Sequence, residues 1–254
     1  MLRRTGLAAD FEKWQKEGRG CGTLESYRPW LRTQDSSSKA VKTRAYSVRF
    51  GRFFHFLSHG EYLTFLQYEW NPRTLEIYEQ YPLDPSVTQA IAQEFGFRHP
   101  RFKQEDIVMT TDFLVTLQRP NDRREKYAIQ IKHSQADLSD RALEKIAIEK
   151  EYWRRKGIEF VLSLSSEFNS VFCRNLQTLF PFRSRKISVE QLKRSAVEFK
   201  SFKEDIFSLN EMVSPEALPC IKLLVANQLL SYPLKEKSIY EAQWSDLKGV
   251  GHAA

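Results

Sequence analysis

The pattern of apolar and polar residues predicts a β-hairpin in the middle of the chain. Two strand-like runs, IVMTTDFLVTLQ at 107–118 and KYAIQIK at 126–132, flank a short turn. The turn contains three residues typical of turns, Pro120, Asn121 and Asp122. If the two strands pair antiparallel around this short loop, residues that lie opposite each other have numbers that add to roughly 242 to 244. The register of the hairpin therefore follows from the position of the turn.

Three polar residues interrupt the apolar strands of this hairpin. Asp112 lies within the first strand, and Gln130 and Lys132 lie within the second, so that Asp112 is opposite Gln130 or Lys132. Because side chains alternate between the two faces of a strand, these three polar groups are expected to converge on one face. The face toward the core carries the apolar residues Ile107, Met109, Phe113, Val115, Tyr127, Ile129 and Ile131.

Helices and strands are predicted on both sides of the hairpin. Before it, residues 45–58 predict one or two short strands, residues 58–70 a helix capped by Ser58, residues 74–83 a strand and residues 84–96 a second helix. After it, residues 139–157 predict a helix and residues 158–165 a buried strand. From about residue 181, two helices and a possible hairpin at 231–244 follow. We therefore expect a mixed α/β (α+β) domain at 1–180 and a small helical, winged-helix-like domain at 181–254.

Length and composition are those of an ordinary globular protein. A chain of 254 residues with 41% hydrophobic residues can bury a sizeable core. No apolar run approaches the roughly 18 to 20 residues that cross a bilayer, and the first residues do not have the pattern of a signal peptide. The three cysteines are far apart and have no Cys-x-x-Cys spacing. We expect a protein of a reducing cytoplasm without a membrane partner.

The net charge is +7, and the basic residues occur in clusters. One cluster lies at 39–52, one at 154–156 and one at 183–186. Each cluster alone is compatible with a solvated surface, but together they favour a polyanionic partner. The residues expected to contact such a polyanion are Lys39, Lys42, Arg44, Arg49, Arg52, Arg183, Arg185 and Lys186.

An acid on one strand beside Gln-x-Lys on the next suits the hydrolysis of phosphodiesters. A carboxylate and nearby oxygens hold Mg²⁺, which polarises the phosphoryl group and generates hydroxide, and a lysine can position the attacking water. One carboxylate binds Mg²⁺ weakly, and Glu61 is the second acid that the sequence offers. Two alternatives stay open. Ser58 and Glu61 have capping-box spacing, and Asp112 and Lys132 could form an ordinary ion pair on a solvated face.

The chain resembles the TnsA family of transposon-end endonucleases in five ordered segments. They are RGCGTLESYRPWLRT, SHGEYLTFLQYEWNPRTLEIYEQYPL, VMTTDFLV, AIQIK and LEKIAIEKEYWRRKGIEF, and together they extend over about 15–175. Proteins of this family belong to heteromeric cut-and-paste transposons, including those guided by CRISPR effector complexes. The resemblance implies a type II restriction-endonuclease fold for the catalytic domain.

The resemblance also implies a role for individual residues. Glu61 matches the helix-borne glutamate of the family, Asp112 its strand-borne aspartate, and Gln130 and Lys132 its Gln-x-Lys element. All four are implied to be catalytic. The implied metal ligands are Glu61, Asp112, the amide oxygen of Gln130 and the backbone carbonyl of Ile131. The implied ion is Mg²⁺, with Mn²⁺ as the alternative.

Two parts of the resemblance are weaker. Glu149 matches a helix glutamate of the family and is a further candidate site residue, but we expect it on the charged side of its helix, which argues against a catalytic role. The region at 181–254 resembles the family only loosely, and its helices and wing would bind DNA or dock on a partner protein.

The implied function is cleavage of the 5′ ends of a transposon by a Mg²⁺-dependent endonuclease. The implied partners are the transposon-end DNA, an RNase H-like transposase of the TnsB type, which cuts and joins the 3′ ends, and an AAA+ ATPase of the TnsC type, which regulates both. Such a protein would associate with the nucleoid when active. A DNA-binding scaffold without catalysis and a stand-alone repair or defence nuclease are the alternatives.

Overall fold

The structure is a computed structural model that describes residues 6–35, 41–183, 187–204 and 208–249. The chain divides into two units, Met1–Glu167 and Phe168–Ala254. The predicted domain boundary at 180 and 181 falls inside a helix of the second unit, at 170–183. Within the described ranges, no helix is long and apolar enough to cross a membrane.

The first unit contains four helices and eight strands in its described part. In chain order they are α1 (Phe11–Lys16), β1 (Thr43–Ser47), β2 (Arg52–Phe56), α2 (His59–Trp70), β3 (Thr74–Pro82), α3 (Pro85–Glu94), β4 (Arg101–Phe102), β5 (Glu105–Asp106), β6 (Thr110–Gln118), β7 (Arg124–Lys132), α4 (Asp140–Arg155) and β8 (Glu159–Leu164). The order confirms the predicted strands and helices of this region, including the helix cap at Ser58.

A four-stranded mixed sheet is the main sheet of this unit, with the order β3-β6-β7-β8. β3, β6 and β7 are antiparallel neighbours, whereas β8 runs parallel to β7 after the crossover through α4. β1 and β2 form a separate antiparallel hairpin. The mixed sheet confirms the predicted α/β class.

The central hairpin has the predicted register. Phe113 pairs with Ile129 and Leu114 with Ala128, as the position of the turn requires. The turn is Pro120–Asp122, in which Asn121 and Asp122 have left-handed φ values of 65° and 58°. Asp112 and Gln130 each lie next to the Phe113–Ile129 pair, where the regular ladder between β6 and β7 ends.

The two faces of the sheet differ from the prediction. Phe113 and Ile129 face the core as expected. The opposite face is also covered, because the crossover brings α4 over it, and Leu114 and Ala128 pack there in one cluster with Trp153. A solvated second face, the alternative left open for Asp112 and Lys132, is therefore wrong, and Asp112 lies buried near the start of β6.

The second unit contains α5 (Ser170–Arg183), α6 (Val189–Glu204), α7 (Leu218–Ala226), β9 (Leu230–Ser231) and β10 (Lys248–Gly249) in its described part. The two helices expected after residue 181 are confirmed as α6 and α7, but α5 was not predicted. The hairpin expected at 231–244 is wrong, because β9 pairs with β10 across a longer connection that contains 3₁₀ turns.

The strand of the first unit that was expected to be buried, β8, is mostly half-buried because it lies at the edge of its sheet.

Candidate active site

Glu61 caps α2 and also faces the end of the sheet. The Ser58 hydroxyl accepts from the Glu61 N–H at 3.2 Å and donates to Glu61 Oε1 at 2.9 Å, and the Leu57 N–H donates to Glu61 Oε2 at 3.0 Å. The capping interaction weighed against metal binding is thus present. The same Oε2 also accepts from Gln80 Nε2 at 3.3 Å, and the residue is only 5% exposed. Capping and a place in the site are compatible.

Gly60 lets the first turn of α2 approach β7 closely. A Cβ at this position would lie 2.9 Å from Ser165 Oγ and 3.1 Å from Ile131 Cγ2. Contacts that short require a neighbour to move. The absence of a side chain at Gly60 therefore brings Glu61 to the end of the strand that carries Gln130 and Lys132.

Asp112 contacts the backbone of the Gln-x-Lys element. Its Oδ2 accepts from the Ile131 N–H at 2.8 Å, and its Oδ1 accepts from Gln80 Nε2 at 3.2 Å. Asp112 is 9% exposed. Asp112 is therefore not part of a solvated ion pair with Lys132. Burial raises the pKa of Asp112, and the charge of Lys132 lowers it by a smaller amount.

Gln80 connects the two carboxylates and was missed in the sequence. It lies on β3 between Glu79, which pairs with Phe113, and Tyr81, which pairs with Thr111, and this places it opposite Asp112. Its Nε2 donates to both Glu61 and Asp112. β3 also carries Thr74, Glu76 and Glu79, so polarity within the strand gave no signal that singled out Gln80.

Glu149 is buried, contrary to expectation. It is 3% exposed on the face of α4 that packs on the sheet, and its Oε1 accepts from the Thr111 hydroxyl at 2.6 Å. That hydroxyl in turn accepts from Trp153 Nε1 at 2.7 Å. The prediction that Glu149 lies on the charged side of its helix is therefore wrong, because the buried stripe of α4 includes this residue. Burial, with the charge of Asp112 as a smaller cause, raises the pKa of Glu149 to about 8.

An open cleft of about 380 Å³ reaches Gln130, Lys132 and Glu149 from solvent, and neither Glu61 nor Asp112 lines it. Its lining includes Gln130, Lys132, Glu149 and two further cations of α4, Arg141 and Lys145. Gln130 Oε1 is buried and has no hydrogen-bond partner among the residues that the structure describes. An unsatisfied buried oxygen of this kind calls for a ligand or an ion.

The charges of the site favour a cation. Burial, and after it the charge of Asp112, raises the pKa of Glu61 to about 8. Two carboxylates that share a buried position cannot both ionise without a compensating charge. Among the described residues no cluster of three or more His, Cys, Asp or Glu side chains could hold a metal by itself. Two carboxylates and the amide oxygen of Gln130 nevertheless are hard oxygen donors, which fit a divalent cation such as Mg²⁺.

Two of the predicted DNA-contact arginines are engaged within the protein. Arg52 is 6% exposed and its two terminal nitrogens contact the Glu79 carboxylate at 3.0 and 2.7 Å. The structure does not support a DNA contact by Arg52, because its guanidinium is enclosed. Arg49 donates to the carbonyls of Glu69 and Asn71 at 2.7 and 2.8 Å, at the C-terminal end of α2. This arginine ties down a helix end.

The remaining predicted contacts have different positions. Arg44 is exposed on β1, and its guanidinium lies over the Phe53 ring at 4.9 Å. Lys42 is half-buried, and Arg183 donates to the Ala226 carbonyl at 3.1 Å. Three lysines and arginines of the prediction lie outside the described residues, namely Lys39, Arg185 and Lys186.

Comparison with known proteins places this chain in a family. The sequence model of the family described as TnsA-like endonuclease N terminal matches residues 71–164. The chain is also 40% identical over 177 residues to the transposon Tn7 transposition protein TnsA of Escherichia coli. The aligned segment covers 70% of this chain and 64% of that protein. The matched region from β3 to β8 has the mixed sheet of a restriction-endonuclease-like domain. This chain belongs to the family of TnsA-like endonucleases.

Proposed function

We propose that this protein is a divalent-cation-dependent DNA endonuclease that cuts the 5′ ends of a transposon during cut-and-paste transposition. The observation that carries this proposal is the hydrogen-bonded connection from Glu61 through Gln80 to Asp112 and on to the backbone of Ile131. It joins two acids, remote in sequence, to the strand that ends in Lys132. The name of the Escherichia coli relative, a transposition protein, supports the biological setting.

Each side chain has a chemical role in this proposal. Glu61, Asp112 and the amide oxygen of Gln130 would hold the cation, together with the Ile131 carbonyl. A bound Mg²⁺ or Mn²⁺ polarises the scissile phosphate and lowers the pKa of water. Lys132, half-buried on the wall of the cleft, orients the attacking water and offsets the negative charge that develops on the phosphate. Glu149 would hold a proton at the same cleft.

The partners follow from the family. We propose that the chain acts with an RNase H-like transposase and an AAA+ ATPase, and that it works in the bacterial cytoplasm. The exposed Arg44 would supply a sequence-independent phosphate contact. The choice of the cleaved sequence would then depend largely on the transposase.

The test uses transposition reconstituted with end DNA, the transposase and the ATPase. Asp112→Ala and Lys132→Ala should leave DNA binding unchanged but lower cleavage of the 5′ strand at least about 10³-fold, because each removes charge stabilisation of the transition state. Excised products should give way to cointegrates. Two exposed residues of the same hairpin provide matched controls, Asp122→Ala and Lys126→Ala, which should cleave normally.

The alternatives give different results in the same assay. For a non-catalytic scaffold, neither variant and no chelator would change the products, and this result would overturn the proposal. A stand-alone nuclease would cut naked DNA without the partner proteins and would show no preference for transposon ends.

A further inference from the structure

Gln80 uses both ends of its side-chain amide in the buried site. Its Oε1 accepts from the Thr110 hydroxyl at 3.0 Å, and its Nε2 donates to Glu61 and to Asp112 at 3.3 and 3.2 Å. The residue is 2% exposed. Because the Thr110 hydroxyl occupies the amide oxygen, the amide nitrogen points at both carboxylates.

The backbone at Gln80 is unusual for a strand residue. Its φ is 47°, in the left-handed region that a residue with a side chain seldom adopts. The regular pairing of β3 with β6 skips this position, and the Gln80 carbonyl accepts instead from the Trp30 N–H at 3.2 Å. Strained backbone of this kind persists where the surrounding structure enforces it, and it is concentrated at functional sites.

We propose that Gln80 is a positioning residue of the cation site, whose amide bridges Glu61 and Asp112 and fixes the separation of their carboxylates. The inference rests on the proposed function, since it assumes that these carboxylates bind a cation. Two carboxyl groups in one buried position would otherwise be free to rotate apart, and a donor shared by both opposes that rotation. The left-handed backbone aims the amide at this point.

Glutamine and methionine have nearly the same shape, so Gln80→Met removes the bridge and keeps the packing. The affinity of the full-length Gln80→Met protein for Mn²⁺ should be about tenfold or more lower than that of the wild type. Calorimetry and the electron paramagnetic resonance spectrum of the ion measure this affinity. High Mg²⁺ concentrations should restore much of the cleavage rate, since the ion's occupancy is what the variant loses. Gln80→Asn keeps the amide on a side chain that is one methylene shorter, and its Mn²⁺ affinity should lie between those of the wild type and Gln80→Met.

Gln93→Met is the matched control, because Gln93 is an exposed glutamine of α3 in the same unit. Circular dichroism checks the fold of each variant. If Gln80→Met does not fold, Gln80→Gly suits the left-handed backbone and allows the same comparison.

Unchanged or tighter Mn²⁺ binding by a folded Gln80→Met protein would overturn the inference, because the amide would then be neutral to the ion or compete with it. Failure of the wild-type protein to bind Mn²⁺ at all would instead defeat the proposed function. The two failures are therefore distinguishable.

Discussion

Two sites with buried acidic groups meet at adjacent residues of β3, Glu79 and Gln80, and their charges are balanced in different ways. Glu79 forms a two-point ion pair with Arg52 and also accepts from the His55 N–H at 3.2 Å. Glu61 and Asp112 accept from neutral donors, which are backbone N–H groups, the Ser58 hydroxyl and the Gln80 amide. The charge of Glu79 is neutralised within the protein, whereas the charges of Glu61 and Asp112 are not.

This difference separates a structural charge from a functional one. A buried ion pair whose two charges cancel needs no counter-ion from solution, and breaking it leaves an uncompensated charge. Two buried carboxylates without a cation either keep a proton or attract an ion from solution. Burial, and after it the charge of Asp112, raises the pKa of Glu61, which is the direction expected for a buried carboxyl group without a counter-charge.

The largest effect is expected at the ion pair. Arg52→Met should lower the free energy of unfolding by about 3 to 5 kcal/mol, because Glu79 is left buried and unpaired. The double variant Arg52→Met/Glu79→Leu should recover much of this loss. Chemical denaturation measures both, with Arg44→Met as the exposed control. A loss below about 1 kcal/mol for Arg52→Met would mean that the pair is not a structural charge.

The second effect is the pH dependence of stability. The folded-state pKa of Glu61 is about 8 against an ordinary value of 4.5, so the folded state holds a proton that the unfolded state has lost between these pH values. Stability in the absence of metal should therefore fall as pH rises from about 4.5 to 8, by up to a few kcal/mol, and level off above. Glu61→Gln should reduce this slope in denaturation curves measured across that range, and Glu149, whose pKa is also raised to about 8, should supply the remainder. Parallel curves for the two proteins would contradict the assignment.

The third effect is a gain in stability. Asp112→Asn should raise the metal-free stability at pH 8 by about 1 kcal/mol, because it removes one of two like charges and its amide oxygen can still accept from the Ile131 N–H. Thermal unfolding with and without Mg²⁺ should show that the ion no longer shifts the melting temperature. A loss of stability as large as that expected for Arg52→Met would erase the distinction between the two sites.

A smaller effect is expected at the approach of α2 to β7. Gly60→Ala introduces a methyl group 2.9 Å from Ser165 Oγ, so the helix start must shift and carry Glu61 with it. Stability should change by about 1 kcal/mol or less, since alanine is the better helix former, while Mn²⁺ affinity falls. Ser165→Gly in the same protein should restore the affinity. Equal Mn²⁺ binding by Gly60→Ala and wild type would show that the close approach has no function.

The smallest effect is expected at the surface. Arg44→Gln should weaken DNA binding a few-fold and reduce the slope of log affinity against log salt by about 1, as for the loss of one phosphate contact. Fluorescence anisotropy with duplex DNA at several salt concentrations measures this slope. An unchanged slope would remove Arg44 from the DNA-binding surface.

Local patterns in the sequence were sufficient for part of the fold and of the site. The turn at Pro120–Asp122 fixed the register of β6 and β7, because one residue of slip would exchange the two faces. Polar residues within apolar strands marked Asp112 and Gln130. The cap at Ser58 marked the start of α2, and the family resemblance then drew attention to Glu61.

The remaining features depend on contacts between distant segments. The ion pair of Arg52 and Glu79 joins β2 to β3, and no spacing rule specifies it. Burial of Glu149 results from how α4 packs on the sheet, and the helix alone looks solvated around this residue. The left-handed conformation of Gln80 occurs at a residue type for which it is rare, so composition gives no indication of it.

The central claim is that Glu61 and Asp112 hold a divalent cation. Anomalous diffraction from a crystal soaked in Mn²⁺ tests it most directly. The account predicts a single strong peak within coordination distance of both carboxylates in the wild type and its loss in Asp112→Asn. A wild-type crystal with no peak there, or with its strongest peak at a different group of residues, would contradict the account.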